Sequence, residues 1–350
     1  MTRPNFSPVA APDDAVAEQA RQFQLTLTKP PGSLGRLEDL GVWLSACQGQ
    51  VPPVPLEDIR LVVFAGDHGV ASGGVSAYPT DVSIQMFHNI NAGGAGVNAI
   101  AHTSGASVVA VDLCLDRDAE PGEVPYRVRR SCGSIDREDA MTEDELTRSL
   151  EVGAQLADEA IDSGAQLLIA GDLGIGNTTP AAAMIGNVTG TEPVVVVGRG
   201  SGIDDEGWKR KTAAIRDAMF RVRGVRNDPM TVLRRISSPD LAATAAFLAR
   251  AAERRTPCVL DGVVVTSAAL LADQLSPGAR AWWLAGHLSA EPAHAIALRH
   301  LELEPLVEYR MRLGEGSGAV TAVPMLHHAV AIMRDMATFD SAEVSRGLDE

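Results

Sequence analysis

One repeated pattern constrains this chain more than any other. A short, continuous apolar run closes on glycine or aspartate, opens into a polar glycine-rich loop and leads into a helix-like stretch. The runs lie at 60–65 (RLVVFA), 107–113 (SVVAVDL), 166–170 (QLLIA), 193–197 (PVVVV), 258–260 (CVL) and 281–285 (AWWLA). Runs that are apolar at successive positions, not alternate ones, suit strands covered on both faces. Alternating with helices, they predict βαβ units and a parallel sheet. The expected fold class is α/β, a three-layer, open, parallel, Rossmann-like sheet. The clearer helical stretches are 142–163, 204–222, 239–252, 291–301 and 318–338. Residues 13–27 and 37–49 also read as helices, joined by a KPPGSLG turn. The expected organisation is a flexible lead (1–12), a small helical domain from both chain ends (13–50 and about 310–338), a large α/β catalytic domain (51–309) and an acidic tail (339–350).

Composition narrows the function classes. The 350 residues are 45% hydrophobic but only 4% aromatic, so the core must be aliphatic. The net charge of −15 makes the chain a poor general binder of polyanions, because such affinity comes largely from Lys and Arg at phosphates. A local basic pocket for one small anion stays compatible with it. The cysteines at 47, 114, 132 and 258 form no CxxC pair, which fits a reducing cytosol better than a zinc ribbon or a disulfide scaffold. The N-terminus lacks an apolar signal region, and no uncharged apolar run reaches the roughly 18 residues of a membrane span. The expectation is a soluble, cytoplasmic protein without nucleic-acid or membrane partners.

In an open parallel sheet, ligands bind beyond the carboxyl ends of the strands. Six polar glycine-rich loops, at 64–70, 169–180, 196–211, 260–262, 284–292 and 312–319, point to one site on that edge. In GDLGIGNTT, Gly174 and Gly176 let backbone N–H groups approach a ligand. Asn177, Thr178 and Thr179 then open a helix whose N-terminus suits a phosphate; the competing reading is a plain Thr-capped turn. Gly200, Ser201 and Gly202 form a second flexible, donor-rich loop. Of the cations nearby, Lys209 and Arg210 read as a solvated helix face and Lys211 as the candidate for a ligand contact. The P-loop, the GxSxG elbow and HExxH are absent, and Gly174-x-Gly176-x-x-Thr179 lacks the third glycine of a dinucleotide fingerprint. The loop carboxylates are Asp67, Asp172, Asp204, Asp205, Asp261 and Glu315. Glu315, between two glycines, reads equally as a general base raised by desolvation or as a first-turn helix acid. His68 and His287 read as structural, with no metal-ligand spacing, and no metal is expected. Met86 and Phe87 suit either an aromatic ligand's pocket or the core.

In this order, the loops resemble those of the nicotinate-nucleotide–dimethylbenzimidazole phosphoribosyltransferase family of cobalamin lower-loop assembly. The segments that carry the resemblance include KPPGSLGRLE (29–38), FAGDHGV (64–70), YPTDVSIQM (78–86), GGAGVNAIA (93–101), GDLGIGNTTPAAA (171–183), GRGSGIDDEG (198–207), DGVVVTSAAL (261–270), GHLSAEPAH (286–294) and LEPLVEYRMRLGEGSGA (303–319). The resemblance implies transfer of the 5-phosphoribosyl group of nicotinate mononucleotide to a benzimidazole nitrogen, releasing nicotinate. It places the general base on Glu315 and a second acid on Asp172, whose side chain is shorter than the Glu that relatives can carry there. The phosphoribosyl and nicotinate parts are expected at Gly174, Gly176, Asn177, Thr178, Thr179, Gly200, Ser201, Gly202, Lys211, Asp261 and Ser289. The aromatic base is expected near Tyr78, Gln85, Met86 and Leu313. The family implies a homodimer.

The chemistry agrees with this reading. A pyridinium is already a good leaving group, so neither a metal nor a cofactor is expected. The resemblance implies that a β-riboside becomes an α-riboside, which fits a single displacement with inversion. The rival readings are the same transfer to adenine, another benzimidazole or a phenol, and a non-catalytic nucleotide-phosphate sensor. The sensor would have no use for Glu315. A dehydrogenase, resting on the broken fingerprint, is weaker still.

Overall fold

Strands covered on both faces need apolar side chains pointing alternately into two cores, and the sheet shows this alternation. In the computed structural model, which describes residues 4–118 and 124–345, β1 (Ile59–Gly66) sends Val62 and Phe64 into one core and Leu61, Val63 and Ala65 into the other. β3 (Leu167–Leu173) divides Leu168 and Ala170 from Leu167 and Ile169 in the same way. With β2 (Ala106–Cys114), β4 (Cys258–Leu260), β5 (Trp283–His287) and β6 (Pro305–Val307), they form one sheet of order β2-β1-β3-β4-β5-β6. Every pairing is parallel.

Helices cover both faces, giving three layers. The first core takes apolar residues from the helices Glu143–Asp162, Thr178–Thr189, Pro239–Glu253 and Val263–Leu275. Small residues let these helices close up: a Cβ on Gly153 would strike the backbone of Ala243. The second core takes them from Arg36–Gln48, Gly96–Ser104 and Ser317–Asp335. Gly41 of the helix Arg36–Gln48 abuts Met333, and Leu27 bridges to Thr338, so the two ends of the chain pack together. Residues 7–10 lie along the body: Val9 N–H donates to Pro277 O and Trp282 Nε1 to Ala10 O, both at 2.9 Å. Positions 1–3 of the expected lead and 346–350 of the expected tail lie outside the described residues. Among the described residues, no helix is long and apolar enough to cross a membrane.

Three local expectations change. The run at 193–197 is not a strand but the short helix Pro193–Val196. Pro193 presets its first turn, and Val194 and Val195 are half-exposed, not sandwiched between layers. β5 begins at Trp283, because Ala279–Trp282 turns as a 3-10 helix. β6 was not among the expected strands; it is a three-residue edge strand, only partly buried, and carries no long apolar run.

The topology marks where a site is expected. The chain leaves β1 for β2 on one side and then crosses back to β3 on the other. β1 and β3 therefore flank the point where strand order reverses, and their carboxyl ends open the crevice in which ligands bind in such sheets.

Candidate active site

At the end of β3 the backbone turns against β1 with no room for a side chain. A Cβ on Gly174 would press on Gly66 O and come within 3.0 Å of His68 Nε2. Gly176 takes φ 94°, in the left-handed region. A relay fixes this turn: Ile175 N–H donates to Ser83 Oγ (3.0 Å), and Ser83 Oγ donates to Asp67 Oδ1 (2.6 Å). Asn177 Nδ2 donates to Asp172 Oδ1, tying the helix start to the strand end. Asp172 is buried, and among the described residues its Oδ2 has no hydrogen-bond partner. Burial, reinforced by the negative charge of Asp240, pushes its carboxyl well above the usual range.

Lys211, on the helix Asp205–Arg221, is only 1% exposed, and its Nζ donates to Thr178 Oγ1 at 2.7 Å. Burial brings its ammonium down to about 8, against the opposing pull of Glu291. Its neighbours in sequence behave differently. Lys209 pairs with Glu206 on the surface, and Arg210 donates to Gly74 O. Loop 198–202 stands over Lys211. Gly200 and Gly202 have φ 52° and 110°, Gly200 N–H donates to Glu291 Oε1 (2.9 Å), and Gly200 O accepts from Arg312 Nη1 (2.9 Å). Ser201 Oγ accepts from Ala77 N–H at 3.4 Å, joining the loop to the segment that carries Tyr78.

Glu315 sits in three consecutive left-handed residues, Gly314 (φ 82°), Glu315 (φ 63°) and Gly316 (φ 85°). This conformation is costly for glutamate and persists only where the surroundings hold it. Two supports are visible. Glu315 N–H donates to Asp172 O at 3.1 Å, while Asp261, at the end of β4, accepts from the N–H groups of Gly316 (3.1 Å), Gly318 (2.8 Å) and Ala319 (3.1 Å). Asp261 thereby caps the helix Ser317–Asp335 from outside. Gly171 lets the loop approach, since a Cβ there would lie 2.6 Å from the carbonyl of Glu315. The Glu315 carboxyl is 3% exposed and accepts from Val97 N–H at 3.4 Å. Burial raises its pKa, Val97 partly offsets this, and Asp261 adds to it.

The remaining expected residues surround these. Ser289 is buried, its N–H donates to His294 Nδ1 (2.9 Å), and its Oγ has no partner among the described residues. Burial lowers His294 to about 3, which keeps it neutral. Thr179 is buried and its Oγ1 is likewise unpartnered. Leu313 is exposed beside Gly96, one residue before Val97. Tyr78 and Gln85 are exposed, and Met86 is half-buried against the second core. Contacts thus join Asp172, Asn177 and Glu315 in one group and Thr178, Gly200 and Lys211 in another. Among the described residues, no hydrogen bond joins Tyr78, Gln85 and Leu313.

Two residues were missed from sequence. Asp240 is wholly buried in an alanine-rich helix, with its Oδ2 3.6 Å from His68 Nε2. As a first-turn acid after Ser238 and Pro239 it reads from sequence as an ordinary helix start. Glu291 stood within the GHLSAEP loop, but only the fold shows what its carboxylate meets.

Comparison with known proteins extends over the same residues. A phosphoribosyltransferase family model matches residues 9–344. The nicotinate-nucleotide–dimethylbenzimidazole phosphoribosyltransferase of Corynebacterium glutamicum (strain R) is 60% identical over 344 residues, covering 98% of this chain and 95% of that one. The enzyme of the same name from Corynebacterium efficiens is 62% identical over 341 residues, covering 97% and 92%. The crystal structure of the Thermus thermophilus enzyme superposes with a TM-score of 0.89 at 42% identity, covering 96% of this chain and 100% of that one.

Proposed function

The chain belongs to this phosphoribosyltransferase family, and we propose that it moves the 5-phosphoribosyl group of nicotinate mononucleotide to 5,6-dimethylbenzimidazole, giving α-ribazole 5′-phosphate and nicotinate in cobalamin nucleotide-loop synthesis. The observation that carries the mechanism is the Glu315 carboxyl, buried and held on a strained loop by Asp172 and Asp261.

Attack at the anomeric carbon builds oxocarbenium character as nicotinate departs. The attacking benzimidazole must lose the proton on its other nitrogen. A buried carboxyl with a raised pKa is a stronger base than one in water, so Glu315 takes that proton. General-base help of this kind is worth about 10²–10⁴-fold, and holding two substrates in line contributes more. Asp172 is the joint of the site: its side chain orients Asn177 and its carbonyl holds the Glu315 loop. Asp261 acts through the same loop. Lys211, with loop 198–202 and the helix start at 177–179, takes the donor's phosphate, with the N–H groups and ammonium supplying the charge complement. Ser289 lines the donor side. Tyr78, Gln85, Met86 and Leu313 receive the aromatic acceptor. The two chain ends form a small helical domain beside the catalytic one, and the enzyme works as a homodimer in the cytoplasm.

The test is chromatography of both products after mixing purified protein with nicotinate mononucleotide and 5,6-dimethylbenzimidazole. Nicotinate and α-ribazole 5′-phosphate are expected in equal amounts. Nicotinate alone would mean hydrolysis or a different acceptor.

A further inference from the structure

Glu291 has no part in the chemistry above, yet its carboxylate reaches loop 198–202, whose Gly200 stands next to Thr178 and Lys211. It precedes the helix Pro292–Leu301 but makes no side-chain cap bond to it. Its carboxylate turns instead to loop 198–202, where Oε1 accepts from Gly200 N–H at 2.9 Å. It also fills the space beside Gly198, so that a Cβ at that position would collide with it. On the other side of the loop, a Cβ on Gly200 would lie 3.1 Å from Thr178 Oγ1 and 3.2 Å from Lys211 Nζ. Glu291 is 8% exposed and Lys211 1%. A buried ammonium bonded to a neutral hydroxyl needs a counter-charge, and Glu291 is the acid that acts on it. An acid serving merely as a helix-terminal charge would have no reason to be buried against a distant loop.

We propose that Glu291 is a positioning residue for donor binding, pinning Gly200 in its left-handed conformation and holding Lys211 by charge so that both face the donor's phosphate in a preset arrangement. This rests on reading loop 198–202 and Lys211 as the phosphate side of the site. Preorganisation of this kind shows in the KM of one substrate, because the ordering is done before that substrate arrives.

The test is steady-state kinetics of Glu291→Ala, Glu291→Gln and Lys211→Met in the full chain, varying each substrate in turn, with thermal unfolding alongside. Glu291→Ala is expected to raise the KM for nicotinate mononucleotide about tenfold or more and to leave that for dimethylbenzimidazole within about twofold. Glu291→Gln keeps an oxygen for Gly200 N–H and recovers part of the loss. A donor KM within about twofold of the parent in both Glu291 variants overturns the proposal. So does a fall in activity with both KM values unchanged, the mark of a smaller folded fraction. If Glu291→Ala does not fold, Glu291→Gln decides alone, with a donor KM raised severalfold as the expected result. Lys211→Met separates the two levels. If it raises the donor KM while the Glu291 variants do not, the phosphate reading stands and the role of Glu291 falls. If all three leave the donor KM unchanged, both fall.

Discussion

Lys211 and Glu315 are both buried ionisable groups, and burial moves them in opposite directions because it disfavours the charged form of each. Lys211 is brought down to about 8. Its charged form, the one proposed to bind the donor's phosphate, is therefore lost as pH rises through that value. The profile of kcat/KM for nicotinate mononucleotide is expected to bend downward above about pH 8, and Lys211→Met is expected to remove that bend. Glu315 is raised, so its basic form is lost as pH falls at a point above the ordinary glutamate range. An acid limb displaced upward, and absent in Glu315→Gln, is the corresponding reading of the low-pH side. The linkage also has a stability sign. Since the folded state disfavours the ionised carboxylate, Glu315→Gln is expected to unfold at the same temperature as the parent or higher when scanned near neutral pH. From sequence, Glu315 was divided between base and helix acid. The structure shows it outside the helix, in left-handed backbone, with Asp261 doing the capping.

Between residues and fold lies the loop 314–316, which depends on two elements remote in sequence. Asp261 holds it from β4 and Gly171 makes room for it beside β3. Asp261→Ala leaves three buried N–H groups without their charged acceptor. The expected cost is about 2–4 kcal/mol, read from denaturant unfolding, with kcat falling further than that loss of stability explains. Gly171→Ala puts a methyl group where the Glu315 carbonyl stands. It is expected to cost about 1–3 kcal/mol and to lower kcat with little change in donor KM. These dependences were not legible in the sequence, which marked Asp261 as a site residue but gave no sign that its oxygens meet backbone. β1 and β3 were legible because both of their faces are apolar. The PVVVV run looked the same, since sequence alone does not say that Val194 and Val195 face water. β6, three residues at the sheet edge, had no run to show.

For the whole molecule, the glycine-rich loops carried the parallel, three-layer architecture and named the edge on which the proposed site lies. Strand order was not available from them. The reversal between β1 and β3, which brings Asp172 to the mouth of the crevice, follows from the crossover after β2 and has no local signature. Asp240 was hidden for the same reason: only the folded layers set it behind Asp172 and beside His68. At this scale the homodimer is the testable statement. Light scattering on the eluting peak is expected to give twice the chain mass of 36.8 kDa, and a single-chain mass at all concentrations would remove it.

The most direct measurement compares Glu315→Gln with the parent in the transfer from nicotinate mononucleotide to 5,6-dimethylbenzimidazole, following both products and thermal unfolding together. The expected result is a kcat lower by about 10²–10⁴-fold with both KM values close to the parent's and an unfolding temperature no lower than the parent's. A folded Glu315→Gln that still forms α-ribazole 5′-phosphate at the parent's rate would contradict the assignment of Glu315 as the general base.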